Sequence, residues 1–205
     1  MPESIRSGDG TVVKYKTIGS SILSPAGSPG AATFRPYIPG NSFGLPFAGG
    51  PSIVAKYATG VFRPGTRIRW EPSVSPTIGG RVFLGFSDNP EVMEKLLVKW
   101  SAYNDTPTEL TYAAYANSVK ALANTVSWPL WQEHDITVPT RLRRKRFDCN
   151  AVLTYTDTNV LDRSAQTMMF AVFDGFNIDI DVSPFLGSFW YHDVVDVEGL
   201  HGEST

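Results

Sequence analysis

The segment GVFRPGTRIRWEPSVSPTIGGRVFLGFSDNP, residues 60–90, constrains the fold of this chain more than any other. It reads as strand, Pro/Thr/Gly turn, strand and acidic turn. Thr66 to Trp70 and Arg81 to Leu84 both alternate polar with large side chains, the period of a half-buried strand. Pro72, Pro76, Gly79 and Gly80 stand between the two, and these residue types turn a chain. No step of this pattern needs a nucleophile, a base or a metal, so the segment reads as scaffold.

The same grammar continues along the chain. Strands are expected at Thr11 to Ile18, Thr33 to Ile38, about 61–70, 80–86, Arg141 to Thr156, Thr167 to Phe173 and Phe189 to Val197. Val126 to Val138 carries strand signal broken by Pro129. Gly19 to Ala32 and Gly40 to Gly50 are Gly/Pro/Ser loops, and Pro51 to Ala58 suits one or two helical turns. Pro90 to Trp100 is the best helix, with Pro and Glu at its start and Val92, Leu96 and Leu97 at helical spacing. Pro107 to Asn124, rich in Ala and Tyr, is ambiguous. Some eight short strands with small helices in the loops suit an all-β jelly roll or β-sandwich.

Composition narrows the class. With 42% hydrophobic and 19% charged residues, 205 residues suffice for one packed domain. The expected division is a short extension over residues 1–10 without a signal peptide, a β domain over 11–198 and a tail over 199–205. No apolar run approaches the roughly 20 residues of a membrane span, so no membrane partner is expected. The single cysteine, Cys149, excludes an internal disulfide and reads as a buried thiol. The sequon Asn104-Asp105-Thr106 lacks a secretory signal and is not expected to be used. Net charge is −2 but unevenly spread: +5 over residues 1–72, 0 over 73–163 and −7 over 164–205. A basic front and an acidic back suit copy-to-copy contacts or a polyanion on one side.

The ordered set of motifs resembles the shell-domain jelly roll of tombusvirus-like coat proteins. There a strand ending in an aromatic residue leads to a P-x-x-P-T turn, a G-x-V-x-x-G-F strand and an Asp/Asn/Pro turn, as in residues 60–90. Pro51 to Ala58 resembles the family's short helix before its fourth strand, and Trp128 to Pro139 its approach to the F–G turn. Lys145 to Phe147, Met169 to Gly175 and Gly187 to Glu198 resemble the three strands that follow. The likeness covers roughly residues 50–198. It implies an eight-stranded antiparallel jelly-roll β-sandwich, a virion protein and no enzyme. It further implies self-assembly into an icosahedral shell around a single-stranded genome, RNA or, as in some small circular viruses, DNA. Two features differ from the family. Residues 1–10 hold only Arg6 where a long basic arm is usual, and the family's calcium turn, D-x-D-x-x-D-like, is here Ser87-Asp88-Asn89-Pro90-Glu91. A shell-only protein without a protruding domain is expected.

Several constellations could carry function. Arg141, Arg143, Arg144, Lys145 and Arg146 would attract phosphates and release counterions, with Lys14 and Lys16 adding to the nucleic-acid contact. The strip alternatively forms subunit salt bridges or a solvated turn. Asp88, Asn89 and Glu91 offer the hard oxygens that calcium prefers, and Asp88 and Glu91 are the candidate ligands at subunit interfaces, completed by a neighbouring copy. Otherwise they make a turn and a helix start. Asp174, Asn177, Asp179 and Asp181 read as an amphipathic edge. Glu133, His134 and Asp135 alternate across a strand and do not converge. His134, His192 and His201 lack metal spacing, and no G-x-S-x-G or phosphate-loop motif is present. Trp128 and Trp131 suit core or interface, or base or sugar stacking. The alternative function is a non-viral β-sandwich carbohydrate-binding module.

Overall fold

The computed structural model describes residues 3–7, 10–23, 30–36, 57–62, 67–137, 147–148, 168–176 and 185–200. Among these are eleven strands: β1 (Glu3–Ser7), β2 (Gly10–Leu23), β3 (Ala31–Pro36), β4 (Tyr57–Phe62), β5 (Arg67–Pro72), β6 (Gly79–Ser87), β7 (Val126–Pro129), β8 (His134–Thr137), β9 (Phe147–Asp148), β10 (Met168–Phe176) and β11 (Phe185–Leu200). Two helices, α1 (Pro90–Asp105) and α2 (Glu109–Lys120), lie between β6 and β7. None is long and apolar enough to cross a membrane among the described residues.

The strands form two antiparallel sheets. In the larger, β11 is central, flanked by β2 with β1 beyond it, and on the other side by β4 and β5, which pair in turn with β9 and β8. The smaller runs β3-β10-β6-β7. β4 and β5 lie end to end along β11, with Phe62 opposite Val195 and Arg67 opposite His192. Counting β4 with β5 and β8 with β9 as single lanes, and setting the edge hairpin strand β1 aside, gives four lanes per sheet. This is the eight-stranded jelly roll expected from the sequence.

Several boundaries differ from expectation. Of the strand read as 61–70, the described residues lie in β4 and β5, both paired with β11, and residues 63–66 lie outside the described residues. The first strand runs on to Leu23 through residues read as loop, since Ile18, Ser21 and Ile22 find partners on β11. Residues 3–7 pair with β2 from Glu3↔Lys14 to Ser7↔Gly10, a hairpin inside the region read as an extension. The ambiguous 107–124 stretch is helical from Glu109 to Lys120. Thr108 caps it, accepting from the Thr111 amide at 3.2 Å while the Thr111 hydroxyl accepts from the Thr108 amide at 3.0 Å. Of the helical turns expected at Pro51 to Ala58, residues 51–56 lie outside the described residues and Tyr57 and Ala58 belong instead to β4, where they pair with β11; the loop at 40–50 and most of the strand at 141–156 also lie outside the described residues.

Two apolar layers result. Between the sheets sit Ile68, Trp70, Val82, Leu84, Phe86, Met169, Ala171, Phe173, Phe189 and Tyr191, all buried. Trp70 is at the centre, with Phe189 and Phe173 ring centroids at 4.9 and 5.2 Å. Its indole N–H donates to the Leu130 carbonyl at 2.8 Å. The second layer joins the helices to the outer face of the smaller sheet through Met93, Leu96, Leu97, Tyr115, Val119, Met168, Phe170 and Val172. β10 therefore alternates between two cores rather than between core and water, which is why MMFAVF is apolar throughout. Gly85 of β6 lets the end of α2 approach. A Cβ there would lie 2.7 Å from Thr125 Oγ1 and 2.8 Å from Leu122 Cδ1.

Candidate functional site

The acidic turn is a helix start. The Asn89 side chain accepts from the Glu91 amide at 3.0 Å, and the Asn89 amide donates to Ser87 Oγ at 3.2 Å. Asn89 is the N-cap of α1, with Pro90 following and Glu91 in the first turn, where a carboxylate complements the helix dipole. Asp88 is half-buried and Glu91 exposed. The two share one corner of the molecule, but the amide oxygen between them is engaged in the cap. Among the described residues no three His, Cys, Asp or Glu side chains gather as a metal would need.

Of the proposed cationic contacts, Lys14 and Lys16 lie on β2, opposite Val194 and His192 of β11. Those are half-buried positions, unlike Tyr191 and Val195 beside them, which are fully buried. Arg141, Arg143, Arg144, Lys145 and Arg146 lie outside the described residues. They fall between β8 and β9, both members of the larger sheet. Asn177, Asp179, Asp181 and Cys149 also lie outside the described residues.

The larger sheet presents a mixed polar face that the sequence reading did not single out. Arg67 is exposed and Arg69 half-exposed, alternating with buried Ile68 and Trp70. Arg69 stands opposite Asp135 on one side and Trp190 on the other, and it pairs with Glu133. The Trp190 indole donates to Glu71. The alternation in Arg67-Ile68-Arg69-Trp70 is the signal that could have found this face. His134 leaves it and stacks on Trp128, rings 4.7 Å apart and 19° from parallel. Glu133 and Asp135 are exposed while His134 is half-buried, so the three do not converge. Trp128 is 3% exposed and belongs to the core between the sheets, whereas Trp131 is 40% exposed.

The helical layer is tied down by polar contacts at its margin. The Tyr103 hydroxyl donates to the Gly30 carbonyl and the Tyr112 hydroxyl to the Phe173 carbonyl, both at 2.7 Å. Burial holds the Tyr112 phenol well above the usual tyrosine range, with the Asp174 charge and Tyr103 adding to it. Lys120 pairs with Asp174, and its ammonium lies 4.7 Å from the Phe83 ring centroid. Asp174 is thus a partner of the helix layer.

No protein-family model matches the chain, and no curated protein is similar to it in sequence. Solved structures do resemble it. A structure of tobacco necrosis virus matches with a TM-score of 0.68 at 15% identity, over 98% of this chain and 88% of that one. Cucumber necrosis virus matches at 0.64 and 16%, over 100% of this chain and 56% of that one, so the chain spans little more than half of that protein. A T=1 subviral particle of a Penaeus vannamei nodavirus capsid protein deletion mutant matches at 0.61 and 9%, over 91% of this chain and 96% of that one. At such identities the likeness establishes architecture: this chain shares its fold with these three virus structures.

Proposed function

We propose that the chain is a viral coat protein, a structural and non-enzymatic subunit that assembles with its own copies into an icosahedral virion around a single-stranded nucleic-acid genome. One observation carries the reading. The two four-lane sheets, with a helix pair over the smaller, match virus structures over nine-tenths or more of this chain, one of them named as a capsid protein. The genome contact is assigned to Lys14, Lys16 and the Arg141 to Arg146 strip, whose five cations fall within six residues of a chain that is otherwise acidic in sum. Calcium is assigned to Asp88 and Glu91 with ligands from a second copy, because two carboxylates alone do not complete its six to eight oxygens.

Sedimentation and negative-stain microscopy of the purified chain test the central claim. Closed shells support it. A 22.5 kDa monomer alone at high protein concentration, near neutral pH and moderate salt, overturns it. Chelation at pH 8 tests the metal. Unchanged particle size and thermal stability would remove calcium from the account.

A further inference from the structure

One row of the larger sheet gathers basic residue types from three strands. His192 of β11 stands opposite Arg67 of β5 on one side and Lys16 of β2 on the other. Thr137 of β8 follows Arg67 and closes the row without a carboxylate. Arg67 is exposed and His192 half-buried, while Ile68 and Tyr191 beside them fill the core between the sheets, so the row belongs to the outer face. Residues directly opposite across a strand pair have Cβ atoms about 4.5–5.5 Å apart, and like charges there repel. The neighbouring rows are balanced. Arg69 stands opposite Asp135 and pairs with Glu133, and Lys14 stands opposite Glu3. Arg67 has no acid opposite it and no ion-pair partner among the described residues.

A phosphate supplies the charge that this row lacks. The row is also continuous with the cations assigned to the genome above. Lys16 is one of them, and Arg141 follows Thr137 by four residues, a span of at most about 14 Å. The middle position is a histidine, the residue type whose charge changes near neutral pH. A proton on His192 stands between two like charges when the row is empty and beside a counter-charge when a phosphate occupies it. Bound phosphate therefore favours the charged imidazole. The other charged groups around His192 are Arg69 and Lys14 on the diagonals, Asp135 and Glu3 one strand further out, and Asp196 two positions along the same face of β11. Asp193 belongs to the alternate set of positions, with Tyr191 and Val195.

We infer that the row of Lys16, His192 and Arg67 is a phosphate track for single-stranded nucleic acid, and that His192 takes up a proton as the phosphate binds. The inference rests on the genome contact proposed above and gives it a place on the sheet and a pH dependence. The bound state holds the extra proton, so binding strengthens as pH falls. Fluorescence anisotropy of a rhodamine-labelled oligothymidylate, titrated with the full chain, tests it. The dissociation constant should rise about threefold to sixfold from pH 6 to pH 8, the range that one coupled imidazole supplies. His192→Gln should abolish that rise. Arg67→Gln, an exposed change, should lower the slope of log K against log salt by about 0.7, the share of one phosphate contact on a single strand. Lys99→Gln removes the same charge from α1, over the smaller sheet, and should leave the slope unchanged. Calorimetry of the unaltered chain in two buffers of different ionisation enthalpy should register proton uptake on binding. Binding without proton uptake, a pH dependence that survives His192→Gln, or a salt slope that Arg67→Gln leaves unchanged overturns the track, and shells that still form leave the coat-protein reading standing. Proton-linked binding by a chain that forms no shells supports the track and counts against that reading. An unaltered chain that does not bind the oligonucleotide overturns the track and the genome contact together.

Discussion

Trp70→Phe isolates what holds the two sheets together. The substitution keeps an aromatic ring on Cβ beside Phe173 and Phe189 but is shorter, losing the distal benzo ring of the indole and its N–H. Trp70 and Leu130 are both 0% exposed, so no water replaces the 2.8 Å bond to the Leu130 carbonyl. A buried acceptor stripped of its donor costs about 1–3 kcal/mol. Returning roughly 50 Å² of ring to an unfilled site forfeits about 1.2 kcal/mol of transfer energy. The void left behind adds about 1 kcal/mol. The expected loss is therefore about 3–5 kcal/mol. Urea unfolding followed by circular dichroism measures it, at one protein concentration because association shifts apparent stability. Trp190→Phe is the comparison. Its indole also donates, to Glu71, but at the sheet's half-buried outer face, where water substitutes for the lost partner. Its cost should stay below about 1 kcal/mol. Equal losses for the two variants would refute the claim that the inter-sheet hydrogen bond and its burial set the difference.

Two further outcomes follow from the geometry and a third from the charge of the sequence. Tyr112 and Tyr115 are held well above the usual tyrosine range, chiefly by burial. The folded state therefore keeps protons that the unfolded chain releases above about pH 10, and stability should fall as pH rises past that point. Ultraviolet titration should show fewer than the eight tyrosines ionising before the chain unfolds. Asp174→Asn should cost about 1 kcal/mol or less, and less still in high salt, because the pair with Lys120 is about one-third exposed on both sides. Thermal unfolding at two ionic strengths measures this. Replacing Arg143, Arg144 and Arg146 by Ala should lower the nucleic acid packaged per particle, read as the 260/280 nm absorbance ratio. If these residues instead pair with acids of a neighbouring copy, no particles form, and full particles with unchanged nucleic acid dismiss both roles.

The jelly roll was legible wherever sequence period and burial agree. β6 was legible as a strand because Val82, Leu84 and Phe86 recur at every second residue toward the other sheet while Phe83 packs on the helix layer, and α1 announces itself by Asn89-Pro90-Glu91 and its apolar spacing. α2 was ambiguous because its outward face is as apolar as it is polar, so no moment marks which side is buried. The end of β2 looked like loop because pairing with β11, not propensity, makes it a strand. At the candidate site, the corner of Asp88 and Glu91 was legible as a turn. The Arg67 and Arg69 face was missed because the partners of Arg69, Glu133, Asp135 and Trp190, lie 64 to 121 residues away and meet it only across the sheet.

The central lane of each sheet is also the one that follows its partners in sequence. β10 waits for β3 and β6, and β11 for β2, β4 and β5, all of them earlier in the chain. On the ribosome, α1, α2, β6 and β7 can associate as soon as they emerge, since they are neighbours in sequence. Both sheets nevertheless remain open down the middle until residues 168–200 have been made. Until then Phe83, Leu84, Trp70 and the helix undersides face an empty slot. Such long-range closure is slow and leaves apolar strand edges accessible meanwhile. The two sheets therefore close only once residues 168–200 have been made. A translational pause ahead of residue 168 would lengthen the time a chaperone has to cover the slot, or a competing strand to fill it.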